Sequence, residues 1–162
     1  MIAITAISKN RVIGNNGEIP WHSKEDFAHF RETTLNKTIL VGRKTFENLP
    51  FLEKRNVDVL SNSKEPYLIN KENLVGTIRN INNINLDHYF NQKNLILCGG
   101  RKIYGQFLAK CSKLYLTEFD FEVEGDTYFP FYELLFSKIK LIKEITDGKI
   151  FEYARNSFTK EK

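Results

Sequence analysis

Glycine followed by two cations occurs twice in this sequence, each time directly after a short buried-looking run: Gly42-Arg43-Lys44 after Thr38 to Val41, and Gly99-Gly100-Arg101-Lys102 after Leu95 to Cys98. Both patterns read as a strand passing through glycine into a helix. The first turn of a helix is the positive end of the peptide dipole and disfavours cations by about 0.3 kcal/mol or more, so something anionic should offset them. Free backbone N–H groups at such an end attract phosphate, and glycine lets a ligand approach the backbone closely. Two anion sites at strand ends on one sheet suit a dinucleotide whose phosphates bridge them, and the extra cations favour NADP over NAD. The plainer alternatives are a solvated basic helix face and an ordinary strand-helix turn. The usual GxGxxG fingerprint is absent.

Asp26 is the candidate acid. It lies four residues before Phe30 and shares a helix face with it, so it points along an apolar stripe. As the third residue after Ser23 it also matches a capping box, in which it would only stabilise the helix start. His22, His29 and His88 sit at positions that argue against a histidine acid, which leaves a lone carboxylate. Desolvation would raise the pKa of such a group, and a planar amidine-like edge would be gripped by it through a bidentate pair. A pterin presents that edge.

The elements that must position these residues are short. Ile2, Ile4 and Ile7 mark a buried first strand. Gly14 to Pro20 reads as a mobile connection, since Asn15, Asn16 and Gly17 supply turn chemistry and Pro20 holds Ile19 extended. A helix opens after Ser23 and ends near Leu35, and a second runs from Arg43 to Leu49 before Pro50. Val57 to Leu60 and Leu74 to Ile78 are strands; Asn80 to Gln92 is ambiguous between helix and loop. Ile103, Tyr104, Phe107 and Leu108 trace a helix face, and Leu114 and Leu116 a strand. Two alternating runs, Lys138 to Ile145 and Ile150 to Phe158, flank Asp147-Gly148, a hairpin signal. Strands alternating with helices and then an antiparallel finish imply an α/β fold with a mixed, mainly parallel sheet covered by helices.

With 162 residues the chain fits one domain, and 41% hydrophobic against 27% charged residues describes an ordinary globule. The net charge of +4 mildly favours anionic partners, but no dense basic stripe interleaved with aromatics points to nucleic acid. Cys98 and Cys111 make no metal-binding pattern with the histidines. No segment reads as a secretory leader or a membrane span, so the expected location is the cytoplasm.

In order and spacing, Arg11-Val-Ile-Gly14, Ile19-Pro-Trp21, Asp26-Phe-Ala-His-Phe30, Thr34-Leu-Asn-Lys37, Gly42-Arg-Lys-Thr45, Gly99-Gly100, Leu114-Tyr-Leu-Thr117 and Glu124-Gly-Asp-Thr127 before Phe129-Pro130 span nearly the whole chain. Together they resemble the dihydrofolate reductase family. The resemblance implies one domain over residues 1–162, with a central sheet of about eight strands, flanking helices and an antiparallel C-terminal hairpin. It implies hydride transfer from NADPH to dihydrofolate.

By that resemblance Asp26 holds the pterin amino group and ring N–H and supports protonation of N5, with Trp21 and Thr117 flanking it. Phe30 and Leu49 sandwich the pterin and benzoyl rings, Phe27 and Leu52 join them, and Ile4, Thr5, Ala6 and Cys98 line the same pocket, Ile4 and Cys98 through their carbonyls. Arg55 clamps the glutamate carboxylate, and Ile19 rides on the closing loop. NADPH falls to Ala6, Ile13, Ile19, Gly42, Arg43, Lys44, Thr45, Leu60, Ser61, Asn62, Cys98, Gly99, Gly100, Arg101, Lys102, Ile103 and Tyr104, with the Gly99-Gly100 peptide expected to be cis.

Two positions depart from the family pattern: Leu52-Glu53-Lys54-Arg55 stands where Leu-Pro-Gly-Arg is frequent, and Arg101 replaces a small residue. Antifolate compounds are expected ligands, a monomer is the expected state, and no metal is expected. The alternative readings are a pyrimidine reductase of riboflavin synthesis, which shares the fold but lacks the Trp21 and Asp26 pairing, and a catalytically silent nucleotide-binding module.

Overall fold

The computed structural model describes residues 1–157. Its order is β1 (Ile2–Ile7), β2 (Val12–Gly14), α1 (Lys24–Thr34), β3 (Thr38–Gly42), α2 (Arg43–Glu47), β4 (Asn56–Ser61), β5 (Tyr67–Ile69), β6 (Val75–Asn80), α3 (Leu86–Phe90), β7 (Leu95–Gly99), α4 (Arg101–Phe107), a 3₁₀ turn at Leu108–Lys110, β8 (Lys113–Phe119), β9 (Thr127–Tyr128), β10 (Phe136–Ile145) and β11 (Gly148–Arg155). The main sheet runs β10-β11-β8-β1-β7-β3-β4-β6-β5, and β2 pairs with β9 in a separate ribbon.

The expected α/β architecture is present, with nine strands in the main sheet where about eight were anticipated. Pairing is parallel from β8 through β1, β7, β3 and β4 to β6, and antiparallel at both margins, where β11 joins β8 and β5 joins β6. The Gly14 to Pro20 connection begins on β2 and continues through a turn in which Asn16 and Gly17 take positive φ. The asparagine-rich interval holds the end of β6 and the short helix α3, whose N-cap Asn85 accepts the His88 N–H. The C-terminal hairpin turns one residue earlier than the Asp-Gly pair suggested: Ile145 pairs with Gly148, so Thr146 and Asp147 form the tip, with Asp147 at φ +59. β11 ends at Arg155, and Phe158 lies outside the described residues.

Side chains alternate across each strand and so divide the core between the two faces of the sheet. Leu40, Leu60, Leu95, Leu97, Leu114 and Leu116 join the α4 face residues Ile103, Tyr104, Phe107 and Leu108 in one cluster. Ile39, Val41, Val57 and Val59 meet Phe46 of α2 in the other. Phe46 is 1% exposed, and truncation to alanine there would cost about 3–5 kcal/mol. Asp58 is charged and buried in β4, and its Oδ2 accepts hydrogen bonds from Arg79 Nε at 2.8 Å and Tyr89 Oη at 2.6 Å, which compensates its desolvation.

Two features of this sheet create a site. β1 and β7 share only the pairs Ile2 with Ile96 and Ala3 with Leu97 before they part, so the carboxyl ends of two neighbouring parallel strands open a crevice, the place where ligands bind in open α/β sheets. Ile4, Thr5 and Ala6 lie on one lip and Cys98 and Gly99 on the other.

Candidate active site

Asp26 enters the crevice from the first turn of α1. Ser23 caps the helix by accepting the Asp26 N–H at 3.2 Å, so the backbone half of the expected capping box is made. The carboxylate does not complete the box. Its Oδ1 accepts a hydrogen bond from Thr117 Oγ1 at 2.6 Å, across from β8. Burial pushes the Asp26 carboxyl above its ordinary pKa, and the Thr117 hydroxyl, by favouring the ionised form, pulls part of the way back. Thr117 is itself buried, and Ala6 is its register partner on β1.

Trp21 packs against Phe119 with ring centroids 5.3 Å apart and against Phe121 at 6.0 Å. Phe119 follows Thr117 by two residues on the same face of β8, so the tryptophan and the acid are held against one strand. Phe27 and Phe30 lie half-buried on α1, while Leu49, Leu52 and Cys98 pack partly buried against the α2 side of the core. The Ile4 carbonyl accepts the buried Tyr104 hydroxyl at 2.6 Å. This bond fixes α4 to the lip of the crevice.

Arg55 is anchored to the last turn of α1. Its Nε donates to Thr34 Oγ1 at 3.0 Å, Nη2 to the Arg31 carbonyl at 2.7 Å and Nη1 to the Glu53 carbonyl at 2.6 Å. Lys54 takes φ +58, a left-handed conformation; the departure from the frequent glycine is therefore accommodated without losing the turn.

The two glycine turns lie side by side. Val41 and Gly99 are register partners, a Cβ on Gly42 would stand 3.0 Å from Ile103, and one on Gly100 would stand 2.8 Å from Thr45 Oγ1. Each glycine thus abuts the other turn's helix. Neither α2 nor α4 has a side-chain cap, so their first N–H groups are available to an anion. Arg43, Lys44, Arg101 and Lys102 are exposed around them, as is Asn62 beyond Ser61, and Leu60 is buried beneath. The Gly99-Gly100 peptide is cis. This arrangement fits a dinucleotide: a cradle that side chains would fill, uncapped helix ends and surrounding cations.

Ile13 and Ile19, both expected to border the cofactor, differ in setting, Ile13 packed against the core and Ile19, in the connection after β2, exposed. Sequence reasoning missed what holds that loop. Asp126 Oδ2 accepts the Asn16 N–H at 3.0 Å, the Asp126 N–H donates to the Gly14 carbonyl at 3.2 Å, and a Cβ on Gly125 would strike Val12 at 2.3 Å. The Glu124-Gly-Asp-Thr127 motif was visible, but its partner more than a hundred residues away was not. Among the described residues no group of three or more His, Cys, Asp or Glu is placed to hold a metal, and no helix is long and apolar enough to cross a membrane.

A crevice with paired anion-ready turns on one side and a desolvated acid on the other defines a nucleotide-dependent α/β oxidoreductase. A family model described as dihydrofolate reductase matches residues 1–160, and the chain belongs to that family. It is 38% identical over 154 residues to a dihydrofolate reductase of Buchnera aphidicola subsp. Acyrthosiphon pisum, covering 93% of this chain and 91% of the relative. It is 36% identical over 133 residues to the type 1 dihydrofolate reductase of Escherichia coli, covering 78% and 79%. Among solved structures, dihydrofolate reductase from Enterococcus faecalis complexed with NADP(H) and RAB-propyl superposes with a TM-score of 0.80, 26% identity and 96% coverage of each chain. The family match decides against the pyrimidine-reductase reading.

Proposed function

We infer that this chain, acting as one domain over residues 1–162, reduces 7,8-dihydrofolate to 5,6,7,8-tetrahydrofolate, with Asp26 as the acid that anchors the pterin and supports protonation of N5. NADPH, when bound, supplies the hydride. The observation that carries the reading is the Asp26 carboxylate, half-buried in the crevice and hydrogen-bonded to Thr117 at 2.6 Å.

The chain's own residues divide the work by position. Asp26 offers Oδ2 and the remaining lone pairs of Oδ1 to the amidine-like edge of the pterin, a bidentate geometry that also orients the ring. Because burial raises its proton affinity above that of an exposed carboxylate, Asp26 suits a group that supports N5 protonation. Phe27, Phe30, Leu49 and Leu52 would supply apolar walls, and Arg55 would meet the tail carboxylate. Thr5, Ala6, Ile4 and Cys98 would form the floor between substrate and cofactor.

Gly42 to Thr45, Leu60 to Asn62 and Gly99 to Tyr104 would hold NADPH, with the cations Arg43, Lys44, Arg101 and Lys102 favouring the phosphorylated cofactor. Ala6, Ile13 and Ile19 would border its nicotinamide end. Closure of the Gly14 to Ile19 loop would exclude water from the reacting atoms. Placement and electrostatics then account for most of the protein's contribution. Antifolate compounds are expected to compete for the pterin site, and the chain is read as a cytoplasmic monomer.

NADPH oxidation with dihydrofolate as acceptor tests this directly, comparing the wild type with Asp26→Asn near neutral pH. Turnover by the wild type and its near loss in the variant are expected. An equally active variant would remove Asp26 from the reaction.

A further inference from the structure

Next to Asp26 on α1, Glu25 reaches across to the β10-β11 hairpin. Its Oε2 accepts the backbone N–H of Thr146 at 2.7 Å, and Lys143 Nζ lies 3.9 Å from Oε1. Thr146 and Asp147 form the hairpin tip, whose Asp147 carbonyl also accepts the Asp120 N–H at 2.8 Å. From that tip β11 runs alongside β8 with Ile150 opposite Thr117, and Thr117 donates to Asp26. The contacts close a ring: α1 to the hairpin tip, β11 to β8, and β8 back to α1. β11 and β8 are joined by strand pairing, whereas α1 enters the ring through two side-chain hydrogen bonds, Glu25 to Thr146 and Thr117 to Asp26.

An acid in the first turn of a helix is already favoured by the dipole, and an exposed lysine partner adds little. Neither accounts for a carboxylate that spans to the main chain of another element. We propose that Glu25 is a positioning residue for the reaction: by tying the first turn of α1 to the hairpin tip, it keeps the Thr117 hydroxyl in hydrogen-bonding register with Asp26. The proposal rests on the reading of Asp26 as the acid of folate reduction.

The charged surroundings set the sign of the test. Asp26 faces Thr117 from β8 and interacts with the buried Tyr104 of α4, with Glu25 on its own helix. Glu25 faces Lys143 of β10, and His22, Lys24 and Asp147 line the same cleft. The Thr146 N–H, with Lys143 a lesser influence, holds the Glu25 carboxyl below its ordinary pKa, whereas burial raises that of Asp26. Losing a nearby negative charge would make Asp26 more acidic, whereas losing the Thr117 hydrogen bond would make it less acidic. The two effects oppose each other.

The experiment follows the Asp26 carboxyl by side-chain ¹³C NMR across pH, with the pH profile of NADPH-dependent dihydrofolate reduction measured in parallel, for the wild type, Glu25→Ala, Glu25→Gln and Lys143→Ala. In Glu25→Ala the Asp26 midpoint is expected to move up by about half a pH unit, a fraction of the loss of one charge-assisted hydrogen bond, with kcat affected more than KM. Glu25→Gln keeps an acceptor for Thr146 and should show no upward movement, and Lys143→Ala should match the wild type. An unmoved or lowered midpoint in Glu25→Ala overturns the proposal, as does an equal upward shift in Glu25→Gln. The NMR arm needs no turnover, so a wild type inert toward dihydrofolate would sink the folate reading while the tie itself is still decided.

Discussion

The Thr117 hydroxyl and the Asp26 carboxylate, 91 residues apart in sequence, meet at 2.6 Å where β8 faces the first turn of α1. One group is a half-buried acid; the other, fully buried, is the only side chain hydrogen-bonded to that carboxylate among the described residues.

Asp26→Asn should lower kcat/KM near neutral pH by about 10²- to 10⁴-fold, the usual contribution of a positioned proton donor, yet stabilise the fold. The folded-state pKa of Asp26 lies above its unfolded value, so the native state binds the proton more tightly and stability falls as pH rises through that window. Thermal unfolding should show the asparagine variant with the higher Tm at neutral pH, and the gap should close below the ordinary carboxylate range. A lower Tm for the variant at neutral pH would contradict this.

Replacing Thr117 with valine preserves volume but removes the donor. The carboxylate loses a hydrogen bond that favours it, so the Asp26 midpoint and the alkaline fall of kcat should both move up by about one pH unit. Steady-state kinetics across pH would report the movement.

Arg43→Ala should raise KM for NADPH about tenfold, the equivalent of ~1.4 kcal/mol, and leave KM for NADH unchanged. The exposed ion pair of Arg43 with Glu47 at 3.2 Å contributes little to stability, so Tm should hardly change. Added salt should narrow the gap between the wild type and the variant.

Gly17 sits at φ +83 in the connection between β2 and α1, a conformation closed to proline. Gly17→Pro should reduce kcat by about an order of magnitude through impaired closure, with folate affinity in the absence of cofactor nearly intact. Asp126→Ala, which frees the Asn16 N–H, should act in the same direction. Rapid-mixing measurements of single turnovers would separate a slowed closure from slowed product release.

Chain-local signals made much of this fold legible. The β-branched run of β1, the Ser23 cap and the two strand-glycine-helix turns each declare themselves within about ten residues. The adjacency of Gly42 to Ile103 and of Gly100 to Thr45 follows from parallel pairing, which the repeated unit implied. By contrast, β2 and β9 are three and two residues long, too short for alternation to register, and they pair across most of the chain. The edge strand β5 is equally brief. Asparagines obscured α3, because residues that favour loops also cap helices. The Thr117 contact with Asp26 came from resemblance, since no spacing rule joins residues so distant, and nothing in the sequence joined Glu25 to Thr146.

Arg55, proposed above to meet the tail carboxylate, has three hydrogen bonds to Thr34, Arg31 and Glu53 already made. A carboxylate arriving there would find a guanidinium whose orientation was settled when α1 met the loop before β4, and no rotamer would have to be frozen for it. A compound that fills the inner crevice but carries no acid would forgo that contact without stranding the cation, whose other partners belong to the protein. The outer end of the site should therefore be tolerant of truncated molecules, while the inner end, around a single desolvated carboxylate, should be exacting.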